Sequence, residues 1–181
     1  SPDLVSAFRS LPSEVTHVFS HPVYLTLFCV LFRADEVSVS EWKTERSILA
    51  AVYELVKKKI GIRIKEDGIS NDKGLKERLM KVLCKFSLEL ISKMNFFVNE
   101  EDFIKFCGEC CNSVSTEIDY TSALSCIFSS ELSINSQQKI SYHFFHASFQ
   151  EYLAARHIAV ELMSEYKQRK IGIAALRDVK A

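Results

Sequence analysis

The sequence predicts a mostly α-helical fold, in which a helical bundle is followed by a winged-helix domain with one β-hairpin. Apolar residues recur at helical spacing through most of the chain, whereas alternation with period two is confined to about Leu132 to Phe145. Several helices followed by one hairpin is the order of a winged-helix unit. The 181 residues and 48% apolar fraction are enough for one or two small domains with a real core.

The N-terminal part contains three predicted helices. Pro12 opens a short one, and Pro22 begins the next, because proline is tolerated in the first turn of a helix. Residues 23–32 are apolar nearly all round, which predicts a buried helix. Thr44 is a candidate N-cap for the third helix. The apolar face of that helix consists of Ile48, Leu49, Val52, Leu55 and Val56.

A domain boundary is predicted between Gly61 and Gly74, a linker-like stretch with three glycines and mixed charge. Asn99 to Asp102 then resembles a helix start, with acidic residues at the positive end of the helix dipole. Tyr120 to Phe128 is predicted to form a short helix. The predicted hairpin has strands at Glu131–Ile134 and Lys139–Phe145. The clearest helix of the chain follows the linker and has one apolar face, formed by Leu75, Leu79, Val82, Leu83, Phe86, Leu90 and Ile91.

The position of His146 between two predicted elements makes it a candidate site residue. It stands between the second hairpin strand and a helix that Ser148 and Glu151 would open as an S-x-x-E capping box and that runs to about Tyr166. A helix N-terminus favours a phosphate, and a histidine beside it can add a hydrogen-bond donor. On position alone, a histidine bonded to nearby backbone is the simpler interpretation.

Composition and charge narrow the function classes. The 23 basic and 23 acidic residues cancel, which leaves no electrostatic footprint for nucleic acid or an anionic membrane. No apolar run reaches the roughly 18 residues of a membrane span, and no signal peptide is recognisable. The chain begins at Ser1 rather than methionine, so we expect a piece of a longer protein. We expect a cytoplasmic location, where the six cysteines stay reduced.

The sequence offers little catalytic chemistry. It contains no G-x-x-x-x-G-K-[ST] phosphate loop, no G-x-G-x-x-G motif and no H-E-x-x-H or G-x-S-x-G motif. We therefore predict no catalytic residues and no enzyme activity for the chain on its own. Cys107 and Cys110 form half of a tetrahedral metal site, but no second pair lies at usable spacing, so we favour a helix end. His17 and His157 occupy helical positions, and we assign them no chemistry.

Four segments resemble parts of a known family, two of them through recognisable motifs. The run Tyr142–Ala155, YHFFHASFQEYLAA, closely resembles the F-x-H-x-S-F-Q-E-[FY]-x-A-A signature of NACHT proteins, which include the NOD-like receptors. The run His21–Cys29, HPVYLTLFC, resembles the N-P-L-x-L-x-L-L-C helix after the nucleotide-binding core of that family, with His21 in place of the usual asparagine. Thr44–Lys58 and Phe96–Asp102 resemble further parts of the same module, in the same order.

The resemblance implies a domain organisation and a function. Residues 1–66 would be the first helical domain of the NACHT module, 67–165 the winged-helix domain and 166–181 the start of a second helical domain. Pro22 would lie against the adenine of bound ADP or ATP, and His146 would reach the β-phosphate of ADP and latch the winged-helix domain onto the nucleotide-binding domain. Exchange for ATP would release this latch and allow the receptor to oligomerise. Because the phosphate loop of the family is not in this chain, the nucleotide would be bound jointly with a nucleotide-binding domain outside it.

Two alternatives stay open. The main one is a winged-helix nucleic-acid-binding module, although zero net charge and the lack of a basic helix before the hairpin disfavour it. The other is a metal-binding structural module around Cys107 and Cys110.

Overall fold

Helices make up most of the computed structural model, which describes residues 3–33, 42–66, 74–111, 124–125, 127–132 and 140–178. The helices are α1 Leu4–Arg9, α2 Ser13–Thr16, the short 3₁₀ helix η1 His17–Ser20, α3 Pro22–Arg33, α4 Glu45–Glu66, α5 Leu75–Ser92, α6 Glu100–Cys111 and α7 Ala147–Asp178. The prediction of a mostly α-helical fold is confirmed. Pro22 is the first residue of α3, as its tolerance in a first helical turn predicts.

The described strands form a small antiparallel sheet. Its strands are β1 (Val98–Asn99), β2 (Phe128–Leu132) and β3 (Ile140–Phe144), in the order β1-β3-β2. β2 and β3 pair antiparallel, with Phe128 opposite Phe144 and Leu132 opposite Ile140. The antiparallel pairing of two strands in this part of the chain agrees with the predicted hairpin, whose connecting residues lie outside the described ones. The chain order of α5, β1, α6, β2 and β3 agrees with the predicted winged-helix region after a helical bundle.

The strand limits differ from the prediction in two places. The sequence places strands only between about Leu132 and Phe145, whereas β2 begins at Phe128 and a further strand lies at Val98–Asn99. Phe128 therefore belongs to a strand and not to the end of the predicted helix from Tyr120, most of which lies outside the described residues. A two-residue strand is too short to show alternation, and two adjacent serines after Phe128 interrupt the period of β2.

One hydrophobic core joins the helices to the sheet. Ile48 and Val52 of α4 are almost inaccessible, as are Leu79 and Leu83 of α5, so both predicted apolar faces are buried. Each such side chain contributes about 1.5–3 kcal/mol when it is fully buried. The beginning of α7 packs on α5, and Phe149 inserts into the same core. This packing fixes the position of the residues that precede α7.

Aromatic stacking holds the sheet on the helices. The rings of Phe86 in α5 and Phe106 in α6 stack with centroids 4.0 Å apart. Phe103 on the same side of α6 stacks on Tyr142 of β3 with centroids also 4.0 Å apart. Offset stacks of this kind contribute beyond the area that they bury. They anchor β3, the strand that leads directly to His146.

Side-chain caps begin α4 and α6. Thr44 Oγ1 accepts a hydrogen bond from the backbone N–H of Ser47 at 3.2 Å, and Ser47 Oγ accepts one from the N–H of Thr44 at 3.0 Å. This reciprocal pair is a capping box. Before α6, Asn99 Oδ1 accepts from the N–H of Asp102 at 2.7 Å. The predicted helix starts at Thr44 and Asn99 are therefore confirmed.

Two helices run further than the sequence predicts. α4 continues through Gly61 to Glu66, so the predicted linker begins later than that glycine. Residues 67–73 of the linker lie outside the described residues, and the division into domains stays a prediction. α7 continues to Asp178 rather than ending near Tyr166. Glycine lowers helix stability by only about 1 kcal/mol, which the buried face of α4 offsets.

The length and apolar content of each helix show whether it could cross a membrane. Among the described residues, no single helix is both long enough and apolar enough to cross a membrane. The neighbouring segments Ser13–Ser20 and Pro22–Arg33 meet that criterion only when they are joined, and they are bent by 116° at their break.

Candidate functional site

A polar cavity lies where several helices begin. It has a volume of about 330 Å³ and is lined by His17, Val18, His21, Tyr24, Glu45, His146 and Ser148. These residues belong to η1, to the starts of α3 and α4, and to the junction between β3 and α7. N–H groups at a helix start point outward and carry partial positive charge, which favours an anion nearby. We refer to this site as the histidine cavity.

His146 is the residue that caps α7. The backbone N–H of Ser148 donates to His146 Nδ1 at 3.2 Å, and the N–H groups of Phe149 and Gln150 donate to the His146 carbonyl at 3.2 and 3.3 Å. An Nδ1 that accepts a hydrogen bond carries no proton, so the proton of the neutral ring lies on Nε2. The cap thus selects the tautomer with Nε2–H as the donor that remains for a ligand.

The predicted capping box at Ser148 and Glu151 is wrong. α7 begins at Ala147, which places Ser148 inside the first turn, and its N–H bonds to the ring of His146. The Ser148 side chain instead lies close to Tyr24 on the wall of the histidine cavity. The S-x-x-E pattern fits a cap in spacing, but the histidine two positions earlier takes the role with its own side chain and carbonyl.

Pro22 lies beside the cavity without lining it. It is exposed in the first turn of α3, between His21 and Tyr24, and both of these neighbours do line the cavity. The His21 carbonyl accepts the N–H of Tyr24 at 3.0 Å, which begins α3. The structure therefore brings the two predicted site residues, Pro22 and His146, to the same region of the fold, with only His146 on the cavity wall.

Tyr24 and Glu45 form the polar floor of the cavity. The Tyr24 hydroxyl donates a hydrogen bond to Glu45 Oε1. Burial raises the pKa of Tyr24 to about 12, and the hydrogen bond to the Glu45 carboxylate adds to this, because both disfavour a phenolate. The ring of Tyr24 meets that of His146 edge to face, with centroids 5.8 Å apart. Nothing in the sequence spacing pairs these residues, since they come from α3, from α4 and from the junction between β3 and α7.

The structure separates the two histidines that the sequence left without a role. His17, at the start of η1, lines the histidine cavity. His157 lies on α7 away from it, with its Nε2 3.6 Å from a carboxylate oxygen of Glu161 one turn later. The signal that could have found His17 is its spacing of four residues from His21, which places both imidazoles near the start of α3.

A larger groove runs along α7 beside the cavity. It has a volume of about 1020 Å³, and α4 and α7 form its walls. The guanidinium of Arg156 lies 4.1 Å from the centre of the Tyr53 ring, and it is close to the side chain of Tyr152. This cation–π contact ties α7 to α4 next to the cavity. Glu45 and Ser148 line both the groove and the histidine cavity, so the two are adjacent.

The cysteines and carboxylates of the described residues form no metal site. No group of three or more His, Cys, Asp or Glu side chains in that part of the chain could hold a metal ion, the three histidines of the cavity included. Burial raises the pKa of the Cys84 thiol to about 11, so it is an inert core side chain. Cys107 lies in α6, and the side chain of Cys110 is outside the described residues, which leaves the C-x-x-C hypothesis untested.

We compared the chain with protein-family models and with curated proteins. No protein-family model matches the chain, and no curated protein matches it either.

Proposed function

We propose that this chain is the helical and winged-helix portion of a NACHT-type ATPase and works as a nucleotide-gated switch. It would hold the inhibited state with ADP bound and permit oligomerisation after exchange for ATP. The nucleotide would be bound jointly with the nucleotide-binding domain of the same protein, with His146 at the phosphates and Pro22 at the adenine. The chain would not catalyse hydrolysis on its own. We expect such a protein in the cytoplasm, in innate immune or stress signalling.

The meeting of the two motif segments carries the proposal. His21 and Tyr24 come from the segment that resembles the helix after the nucleotide-binding core, and His146 and Ser148 come from the segment that resembles the winged-helix signature. These four residues, far apart in sequence, line one cavity. A chance resemblance of two separate segments gives no reason for them to meet. Since no family model matches, the proposal rests on these motifs and on this placement.

The chemistry of the junction suits a phosphate. The Nε2–H of His146 is a donor at a helix start, where the helix dipole already favours negative charge. Because β3 and the core-bound first turn of α7 hold His146 on both sides, the imidazole is positioned before a ligand arrives. A hydrogen bond to a charged group contributes roughly 1.5–3 kcal/mol.

The exposed ring of Pro22 suits contact with the adenine base of a nucleotide. The proline ring is exposed at the start of α3, directly after His21 in the chain. A rigid apolar ring with no N–H can lie flat against a purine without leaving a donor unpaired. His21 and Tyr24, which lie within two residues of Pro22 in the chain, share the cavity wall with His146.

Nucleotide retention tests the proposal. The protein that carries both this chain and a nucleotide-binding domain is purified without added nucleotide, denatured, and assayed for released ADP by chromatography. We expect ADP in the wild-type protein and, in His146→Leu, dissociation about ten- to a hundredfold faster, since each 1.4 kcal/mol is a factor of ten. His157→Leu is the matched control, because His157 lies on α7 outside the cavity.

The outcomes separate the candidate functions. Equal ADP retention in wild type and His146→Leu would contradict the proposed role of this residue. Absence of any bound or exchangeable nucleotide, together with duplex DNA binding that weakens steeply with salt, would favour the winged-helix nucleic-acid-binding alternative instead.

A further inference from the structure

The histidine cavity contains more titratable side chains than a contact between His146 and a phosphate requires. His17 from η1 and His21 before α3 share the cavity wall with His146. In the described part of the chain, neither of these two additional imidazoles has a side-chain hydrogen bond or an ion pair. One carboxylate, that of Glu45, shares this wall, whereas the carboxylate of Glu151 lies close enough to Tyr24 to raise its pKa but does not line the cavity.

These groups make the charge of the cavity depend on protonation. With neutral imidazoles, the carboxylate of Glu45 is the charged side chain on the cavity wall, and it repels an anion. The Nδ1 of His146 already accepts the N–H of Ser148. Protonation of His17 and His21 would outweigh this one negative charge. The partial positive charges at the helix starts would then favour an anion.

We propose that the histidine cavity is a proton-coupled site for a phosphate or diphosphate group, in which His17 and His21 take up protons as the anion binds. The inference rests on the proposed function in taking this cavity as the place where nucleotide phosphates lie, and it adds the residues that make binding depend on pH. Histidine is the side chain that ordinarily changes charge between pH 5 and 8. An anion that prefers the protonated cavity therefore binds more tightly as the pH falls.

Inorganic pyrophosphate is the probe, added to the 181-residue chain while the histidine ring signals are followed by NMR. We expect pyrophosphate to bind at least about tenfold more tightly at pH 5.5 than at pH 7.5 and to shift the signals of His17 and His21. The His17→Gln/His21→Gln variant should lose most of this pH dependence. Titration of pyrophosphate itself is common to both proteins and cancels in their comparison.

Two further variants sharpen the test. Glu45→Gln removes one carboxylate while its amide oxygen can still accept from Tyr24, so it should raise the affinity for pyrophosphate at pH 7.5 by several-fold. His157→Gln removes a histidine outside the cavity and should leave the pH dependence as in wild type. His17→Gln and His21→Gln are also measured singly, and each should lose part of the dependence.

The outcomes distinguish this inference from the proposed function. The same pH dependence of pyrophosphate affinity in wild type and in His17→Gln/His21→Gln would overturn the inference. If ADP retention in the larger protein still depends on His146, only the inference has failed. If pyrophosphate binds with the expected pH dependence but ADP is never retained, the cavity is an anion site and the proposed function has failed.

Discussion

The hydroxyl of Tyr24 donates a hydrogen bond to the carboxylate of Glu45, which joins the first turn of α3 to the first residue of α4. Tyr24 is only 4% exposed, and its ring also meets that of His146 edge to face. Three segments that are distant in sequence therefore converge on one phenol. This convergence makes Tyr24 the residue through which the geometry of the histidine cavity can be tested.

Tyr24→Phe removes the hydroxyl and keeps the buried ring. We expect the free energy of unfolding to fall by about 1 kcal/mol, because the lost hydrogen bond has a charged acceptor that is itself exposed to water. Urea denaturation measures the change. Glu45→Gln is the control that keeps an acceptor oxygen, so its loss should be smaller. A Tyr24→Phe protein as stable as wild type would argue against this bond in solution.

The raised pKa of Tyr24 predicts a loss of stability in alkali. Its folded value of about 12 lies above the ordinary 10.0, so the fold favours the neutral phenol. This contribution is complete below pH 10 and is lost as the pH rises toward 12. Between pH 10 and 12 the wild-type protein should therefore lose more stability than Tyr24→Phe. Parallel urea midpoints for the two proteins over this range would contradict the assignment.

The caps of α4 and α7 predict opposite behaviour for two pairs of substitutions. Thr44→Ala and Ser47→Ala should each cost about 1 kcal/mol and together less than their sum, because they remove two halves of one capping box. Ser148→Ala and Glu151→Ala should be additive, because no reciprocal cap joins them. Two double-mutant cycles by urea denaturation measure this. Coupling between Ser148→Ala and Glu151→Ala, without coupling between Thr44→Ala and Ser47→Ala, would instead support the capping box that the sequence predicts at Ser148.

Arg156 links α7 to α4 through the ring of Tyr53. Arg156→Ala should lower the free energy of unfolding by about 0.5–1 kcal/mol, since the guanidinium is largely exposed but lies 4.1 Å from the ring centre. Lys85→Ala is the matched control, because Lys85 forms an exposed ion pair with Glu89 one turn later and should cost less than about 0.5 kcal/mol. Thermal denaturation of both variants measures these losses of stability. If Lys85→Ala loses as much stability as Arg156→Ala, the contact between Arg156 and Tyr53 does not stabilise the fold beyond an ordinary surface ion pair.

Local periodicity accounts for what the sequence predicted correctly. The buried faces of α4 and α5 follow from apolar spacing alone, and the cap at Thr44 is a contact between residues three apart. The β1 strand escaped prediction because pairing with β3, and not its own two residues, makes it a strand. Likewise, Tyr24 and Glu45 meet because α3 and α4 pack together. Spacing along the chain carries no signal for contacts that only tertiary packing creates.

The pattern at the start of α7 was ambiguous for a different reason. Both His146 and Ser148 can accept an N–H at a helix start, and the S-x-x-E spacing favours the serine. In the structure, the chain passes from β3 into α7 so that His146 is the residue that caps the helix. Its ring and its carbonyl together accept three N–H groups. His146 therefore has a structural role, the cap, besides its proposed role as a phosphate ligand. Any functional test must separate the two.

His146→Leu and His146→Asn separate them. Leucine loses both the cap and the Nε2–H donor, and should lower the free energy of unfolding by about 1 kcal/mol. Asparagine is a good N-cap whose side-chain oxygen can accept the N–H of Ser148, but it is too short to present a donor where Nε2–H lies. It should therefore keep the stability of wild type and lose only the contact with phosphate.

In the protein that carries the nucleotide-binding domain, both variants should oligomerise or signal without the trigger. The lost hydrogen bond of roughly 1.5–3 kcal/mol shifts a closed-to-open equilibrium by about one to two decades. Size-exclusion chromatography without the trigger measures the oligomeric fraction, and His157→Leu, away from the cavity, should stay monomeric. Activation by His146→Leu but not by His146→Asn would mean that the lost cap, and not a phosphate contact, opens the protein. If neither variant oligomerises or signals without the trigger, His146 does not control the proposed switch.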